Sequence, residues 1–355
     1  QQWIGILRRE RSLVFQYRYL FSKAKTKTMI NQLWTRLLYL ALVCCILSCS
    51  EQKEGKVLKL AHGLDVKHPV HGGMVYMAND LEKRSGGKLK IQIYPSGQLG
   101  SERQCLELLQ IGSLDMTKVS AAPLENFSPK TKVLSLPYIF SGEEHAWKVF
   151  NGDIGKELLV GAEEFWLRGL CFYDAGSRSF YTKDRPVNTP ADLKGLKIRV
   201  QNSQTAMQMV STLGASPTPI SFGELYTALQ QGVVDGAENN APSFYTSRHY
   251  EVCKYYSIDE HAMVPDVLLI GTNTWNRLSQ QEQEWLQAAA DASVTEQRKL
   301  WKAANQEALD KVVAAGVEII HPEKSAFSEQ VGEIYESYRD QPEIFSLIER
   351  IRAIK

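Results

Sequence analysis

Beyond residue 55 the chain switches repeatedly between two hydrophobic periods. Lys88–Tyr94 alternates apolar and polar residues as half-buried strands do, and Val57–Ala61 and Leu114–Val119 fit further strands. Between them, Met74, Met77 and Leu81 recur at helical spacing within Val70–Leu81, and Glu102–Ile111 reads as helix up to Gly112. Pro137–Phe140 is a short apolar segment leading into a helical pattern over Glu143–Phe150, and Leu170–Tyr173, Lys197–Val200 and Val267–Thr272 fit further strands. Strands and helices in alternation predict an α/β fold, a mostly parallel sheet covered by helices. Near the end, Ser279 and Glu282 stand at capping-box spacing, and apolar residues then recur from Trp285 to Val313 until Gly316 stops them. Such a helix approaches roughly 50 Å, longer than one domain needs, and is expected to pack along two.

One stretch follows neither period. Leu37–Leu47 (LLYLALVCCIL) is uninterruptedly apolar, but as a helix it spans roughly 16 Å against a hydrocarbon core of about 30 Å. With Arg36 before it and small residues after it, it reads as the core of a secretory signal, a buried helix being the other reading. Ile46-Leu47-Ser48-Cys49 resembles a bacterial lipobox. Diacylated Cys49 would then be the anchor and the only membrane attachment, with Ser50–Gly55 as a polar tether. Met29 lies eight residues before the run, so residues 1–28 are expected to precede the true start. A twin-arginine reading of Arg8-Arg9 fails because the apolar segment follows too far downstream.

Charge changes the picture once it is divided along the chain. The whole sequence of 355 residues carries 41 Lys and Arg against 40 Asp and Glu. Residues 1–48 hold eight of the basic groups and one acid, which leaves 33 against 39 and a net charge of −6 beyond them. A nucleic-acid-binding body is thereby excluded, since phosphate neutralisation needs surplus cations. After Cys49 only Cys105, Cys171 and Cys253 remain, enough for one disulfide at most, so the core must carry the fold.

Catalytic templates find no match: there is no GxSxG, Walker loop, GxGxxG or HExxH, and no cofactor motif. The seven histidines lack metal-ligand spacing. His68 and His71 share a helical face, but a zinc site would need further ligands that nothing nearby supplies, so the pair is read as having a helix N-terminus or pocket-lining role. Val187–Ser203 (VNTPADLKGLKIRVQNS) is more informative, because it presents Arg199 near the carboxyl end of a strand. Ligands of open α/β sheets sit beyond such ends, and a guanidinium there can grip a carboxylate through two parallel hydrogen bonds. An ordinary surface ion pair is the competing role for one arginine.

The surrounding pattern resembles the solute-binding proteins of tripartite ATP-independent periplasmic (TRAP) transporters from Leu58 to about Val313. Five ordered stretches carry the resemblance: Tyr94–Gly100 (YPSGQLG), Leu136–Tyr138 (LPY), Ala191–Val200 (ADLKGLKIRV), Gly214–Pro219 (GASPTP) and Glu224–Asn239 (ELYTALQQGVVDGAEN). It implies a two-lobed periplasmic-binding-protein-like fold of mixed, mostly parallel sheets flanked by helices, with the long helix spanning both lobes. Lobe I would take residues 56–175 and 265–304, and lobe II residues 176–264 and 305–355. It also implies a non-enzymatic periplasmic receptor that closes on a small organic acid and hands it to the TRAP membrane subunits, the lipid anchor being what the lipobox-like stretch at Cys49 adds.

The family's carboxylate-binding arginine falls on Arg199, a second site arginine on Arg178, and the site asparagine on Asn239. Glu102 matches a position that is acidic and faces the cleft in the sialic-acid-binding relatives. Ser120 falls where those relatives have glutamate, a departure that weighs against that ligand class. His62 and His261 are candidate hydroxyl-binding residues and Phe222 a candidate cover for a ligand ring, core roles being open for all three; Asp235 and Glu238 read as structural. Glu102, the histidines and the arginine pair suit a hexuronate or aldonate, since hydroxyls need acceptors as well as donors. A C4-dicarboxylate receptor, a sensor-linked receptor, and a periplasmic enzyme using His62 or His261 with Glu102 are the alternatives.

Overall fold

The computed structural model describes residues 55–355, together with residues 18, 19, 21, 23, 25, 29 and 33–38, which are helical and exposed. Cys49, most of Leu37–Leu47 and all of the tether except Gly55 lie outside the described residues. Among the described residues no helix is long and apolar enough to cross a membrane.

Residues 55–355 form two lobes, each built on one sheet. The strands are β1 Lys56–Ala61, β2 Leu89–Tyr94, β3 Met116–Ser120, β4 Leu167–Tyr173, β5 Arg178–Thr182, β6 Lys197–Val200, β7 Ser216–Pro219, β8 Gly236–Asn239, β9 Tyr255–Ala262, β10 Asp266–Gly271 and β11 Glu318–Ile320. The first sheet runs β2-β1-β3-β10-β4 and the second β11-β9-β5-β8-β6-β7. β1 is parallel to β2 and β3, but β10 is antiparallel to β3 and β4. In the second sheet β5 runs antiparallel to β8 and β9, while the outer pairings are parallel. The sheets are mixed because the chain crosses between them three times. Residues 174–177 carry it from β4 to β5, residues 263–265 return it from β9 to β10, which therefore enters the first sheet against its neighbours, and residues 272–317 carry it back to β11.

The helix predicted near the C-terminus is present as Gln280–Ala314. Ser279 caps it as predicted, its hydroxyl accepting from Glu282 N–H while the Glu282 carboxylate accepts from Ser279 N–H at 2.7 Å. Its buried positions Leu286, Ala289, Ala290, Ser293, Gln297, Trp301, Ala308 and Val312 step by threes, fours and their sums, which keeps them on one stripe. The helix also fixes the first crossing. Gln297 Oε1 accepts from Asp174 N–H and Gln297 Nε2 donates to Asp174 O, both at 2.8 Å, and Tyr173 and Ser293 share a hydroxyl bond of 2.6 Å. On its other side the helix Pro69–Arg84 approaches closely, a Cβ at Gly73 meeting Gln297 Cβ at 2.6 Å, so glycine is required there. Cys105, Cys171 and Cys253 are buried free thiols, and the single disulfide that three cysteines allow does not form.

Candidate functional site

In a mixed sheet, the start of an antiparallel strand lies at the same edge as the carboxyl ends of its parallel neighbours. That rule gathers chemistry from strands distant in sequence. In the first sheet the end of β3 carries Lys118 and Ser120, and the start of β10 carries Asp266, paired in register with Ser120. In the second, β5 opens on Arg178, β6 carries Arg199, and β8 closes on Asn239. Glu102 is the first residue of the helix Glu102–Gln110, held in place by the Ser101–Gln104 capping box. These side chains and Phe222 line one cavity of about 620 Å³, within the range usual for small-molecule sites.

Arg199 is 2% exposed, and its Nε donates to Ile220 O at 2.8 Å. Its Nη1 is buried and, among the described residues, has no acceptor. The guanidinium carbon lies 5.9 Å from the Phe222 ring centroid, no carboxylate of the described residues is paired with it, and burial lowers its pKa. Arg199 thus lines the cavity with a guanidinium nitrogen left unpaired.

Arg178 is different. Its Nε and Nη2 both engage the Glu238 carboxylate, Nη2 also reaches Glu238 O at 2.8 Å, and Nη1 donates to Asn239 Oδ1 at 3.0 Å. Four of its five N–H groups are taken, so it can offer a ligand one. Burial works against the Glu238 charge, but Arg178 and His261 hold that carboxyl down at about 2. Asn239 Oδ1 accepts from Asn240 N–H as well, at 2.9 Å, which leaves the amide only its Nδ2 donors. Toward a ligand it can therefore donate but not accept.

The two histidines are not brought to the cavity. His261 is fully buried behind Arg178, its ring against Phe180, with Nδ1 2.8 Å from Asp259 and Nε2 3.5 Å from Glu238. Burial favours its neutral form, yet those two carboxylates raise its pKa to about 9. His62 accepts from Leu64 N–H on Nδ1 at 3.1 Å, which leaves Nε2 to donate to His71 Nδ1 at 2.9 Å; burial and the Lys118 charge push it down to about 3. Among the described residues neither ring is bonded to Glu102, so the particular histidine–Glu102 pairs considered from sequence are not assembled. Glu238, read as structural from sequence, belongs to the same buried network.

Ser120 and Glu102 are brought together, Ser120 N–H donating to Glu102 Oε1 at 3.1 Å. Lys118 Nζ lies 3.2 Å from both Glu102 and Asp266. Sequence reasoning passed over Lys118 and Asp266, although a lysine following Leu114 and Met116 at alternate positions of a predicted strand was the available signal, since a buried ammonium must be paired. His68 is the cap of its helix and a cavity-lining residue: its Nδ1 accepts from Val70 N–H at 3.3 Å and its Nε2 bonds Ser243 Oγ at 3.2 Å, across the lobes. Ser120 Oγ and Gln201 Oε1 form a second such bridge at 3.4 Å. Among the described residues there is no cluster able to hold a metal ion. A wider groove of about 1300 Å³ lies along the long helix, but it collects none of the eight predicted ligand-binding residues.

The family described as bacterial extracellular solute-binding protein, family 7, matches residues 60–341. A TRAP periplasmic solute-binding protein of Bradyrhizobium sp. BTAi1, solved with α/β-D-galacturonate, is 41% identical with a TM-score of 0.82, covering 84% of this chain and 99% of its own. That of Xanthobacter autotrophicus Py2, with β-D-galacturonate, is 38% identical with a TM-score of 0.82 and coverage of 84% and 100%. That of Anaerococcus prevotii DSM 20548, with α/β-D-glucuronate, is 37% identical with a TM-score of 0.82 and coverage of 84% and 97%. With the fold, the strand-end cavity and these matches in agreement, the chain belongs to the family-7 bacterial extracellular solute-binding proteins, the periplasmic receptors of TRAP transporters.

Proposed function

We propose that this protein binds a sugar acid, a hexuronate or an aldonate, and delivers it to TRAP membrane subunits. The observation that carries the reading is the buried, unpaired face of Arg199 on a cavity whose other lining is rich in hydroxyl partners. Removing water from a carboxylate is costly unless fixed donors replace it, and a charge-assisted hydrogen bond returns about 1.5–3 kcal/mol net. Two from Arg199 and one from Arg178 supply about 4.5–9 kcal/mol, at least half of the 8 kcal/mol that a micromolar affinity represents. Hydroxyl contacts to Glu102 and Asn239, and ring contact with Phe222, contribute the rest.

Closure follows from where the groups originate. Lobe I, residues 56–175 with 265–304, contributes Glu102 and Ser120; lobe II, residues 176–264 with 305–355, contributes Arg178, Arg199, Asn239 and Phe222. Only the closed form makes all these contacts, so ligand shifts the open-to-closed balance by its differential affinity and marks the form that the transporter accepts. The relatives solved with galacturonate and glucuronate support this ligand class. A thermal-shift panel of hexuronates, aldonates and C4-dicarboxylates tests it: ligand at 100 times its dissociation constant stabilises by about 2.7 kcal/mol. Shifts confined to dicarboxylates would refute the proposal. Cys49 is the proposed lipid attachment, supported by Ile46-Leu47-Ser48-Cys49; Cys49→Ser should move the protein from the membrane fraction to the soluble one.

A further inference from the structure

The two walls of the cavity, one from each sheet, differ in charge. On the wall of the second sheet, a buried guanidinium nitrogen of Arg199 has no acceptor among the described residues. On the other, one ammonium serves two carboxylates: Lys118 Nζ is 3.2 Å from Glu102 Oε1 and 3.2 Å from Asp266 Oδ1, the Lys118 side chain being 3% exposed and that of Asp266 8%. Three elements of the first lobe supply the three groups, β3, β10 and the first turn of the helix Glu102–Gln110, so their spacing is set by the sheet. The cluster holds one more negative charge than positive. Burial, with the Glu102 charge added, outweighs Lys118 and raises the Asp266 pKa. The same two carboxylates hold Lys118 charged against its burial.

The hydrogen-bonding capacity left over is equally specific. Lys118 Nζ uses two of its three N–H groups, and among the described residues neither Glu102 Oε2 nor Asp266 Oδ2 receives a hydrogen bond. A hydroxyl both donates and accepts, and here a free N–H and free carboxylate oxygens stand together. A carboxylate in the same place would bring a second negative charge to an existing surplus and find one donor. Rejection by an unfavourable charge is a common device of specificity.

We propose that the Glu102–Lys118–Asp266 cluster is the specificity wall of the cavity, receiving the hydroxylated tail of a monocarboxylate and turning away acids that carry a second carboxylate there. This rests on the sugar-acid reading and adds to it the residues that exclude dianions. Isothermal titration of the wild-type protein should show D-glucuronate or D-galacturonate preferred over the hexarate of the same skeleton by about 100-fold or more, the scale of a like-charge penalty. Asp266→Asn and Glu102→Gln each remove one charge with little change of shape. Each should cut that preference by about 10-fold or more, by strengthening hexarate binding and weakening hexuronate binding. Circular dichroism and ligand-free melting establish that the variants fold, and Glu102, with its side chain 18% exposed, is the variant that depends least on core packing. Hexuronate binding with no preference over the hexarate, or a preference unaltered in both variants, overturns the role of the cluster and leaves the receptor reading standing. Binding of dicarboxylates with none of hexuronates or aldonates overturns the sugar-acid reading itself.

Discussion

Replacing Arg199 by methionine should separate stability from function. In the ligand-free protein this guanidinium satisfies Nε through Ile220 O at 2.8 Å, while Nη1 is buried without an acceptor. An unmet buried donor costs about 1–3 kcal/mol, and losing the bond to Ile220 O costs about 1 kcal/mol. The ligand-free Arg199→Met protein should therefore match the wild type or exceed it by up to about 2 kcal/mol, a rise in Tm of several degrees. The ligand side runs the other way. Two charge-assisted hydrogen bonds are lost, about 3–6 kcal/mol together, which is two to four decades of affinity. Arg199→Lys keeps the charge but not the planar fork and should recover only part of the loss. Scanning calorimetry with and without a saturating hexuronate, paired with titration, reads both effects. A variant that melts well below the wild type without ligand, yet keeps the ligand-induced shift, would refute the argument that this arginine is held for a ligand.

Two further outcomes follow from the buried network and the crossing between the lobes. The pKa of His261 is raised to about 9 from 6.5, so its contribution to stability is complete below pH 6.5 and is lost as pH rises through 9. At about 1.36 kcal/mol per unit this amounts to a few kcal/mol, and His261→Gln should flatten the fall in Tm between those limits. Glu238 acts at the opposite end: its pKa is depressed from 4.5 to about 2, so its contribution fades as pH falls across that interval. An unchanged alkaline limb in the histidine variant would deny His261 its charge. Gly176 sits in the first crossing at φ +56°, where a Cβ would stand 3.0 Å from Trp301. Gly176→Ala should cost about 1–2 kcal/mol from the left-handed backbone alone, seen as a lower denaturant midpoint, and no change would contradict the left-handed conformation at this crossing.

How much of this was legible in the sequence depended on which force set each element. β1, β2, β3 and β10 have apolar patterns of their own, and the capping box at Ser279 announced the long helix. β5 (RSFYT), β8 (GAEN) and β9 (YYSIDEHA) went unread, since charged and hydroxylated residues give them the look of loops. Those residues are buried nonetheless, because Arg178, Glu238, Asp259 and His261 neutralise one another across neighbouring strands. What hid the strands of the second lobe from hydropathy is thus the network that positions Arg178.

The same reasoning explains why the roles of the three buried cations could not be ranked from residue types. A buried cation is tolerable only if paired or waiting for a partner, and partners are set by the fold. Lys118 finds Glu102 sixteen residues away and Asp266 148 away, and Arg178 finds Glu238 sixty away. Sequence proximity assigned none of these pairs, so Arg178 and Arg199 looked alike as ligand hooks. Once the strand ends are assembled the two part company: Arg178 is spent on Glu238 and offers one N–H, whereas Arg199 has no carboxylate and a buried donor unmet. An uncompensated buried charge is stabilised best by a mobile anion of its own, and the shape and hydroxyl-binding capacity of the remaining cavity then decide which anion that is.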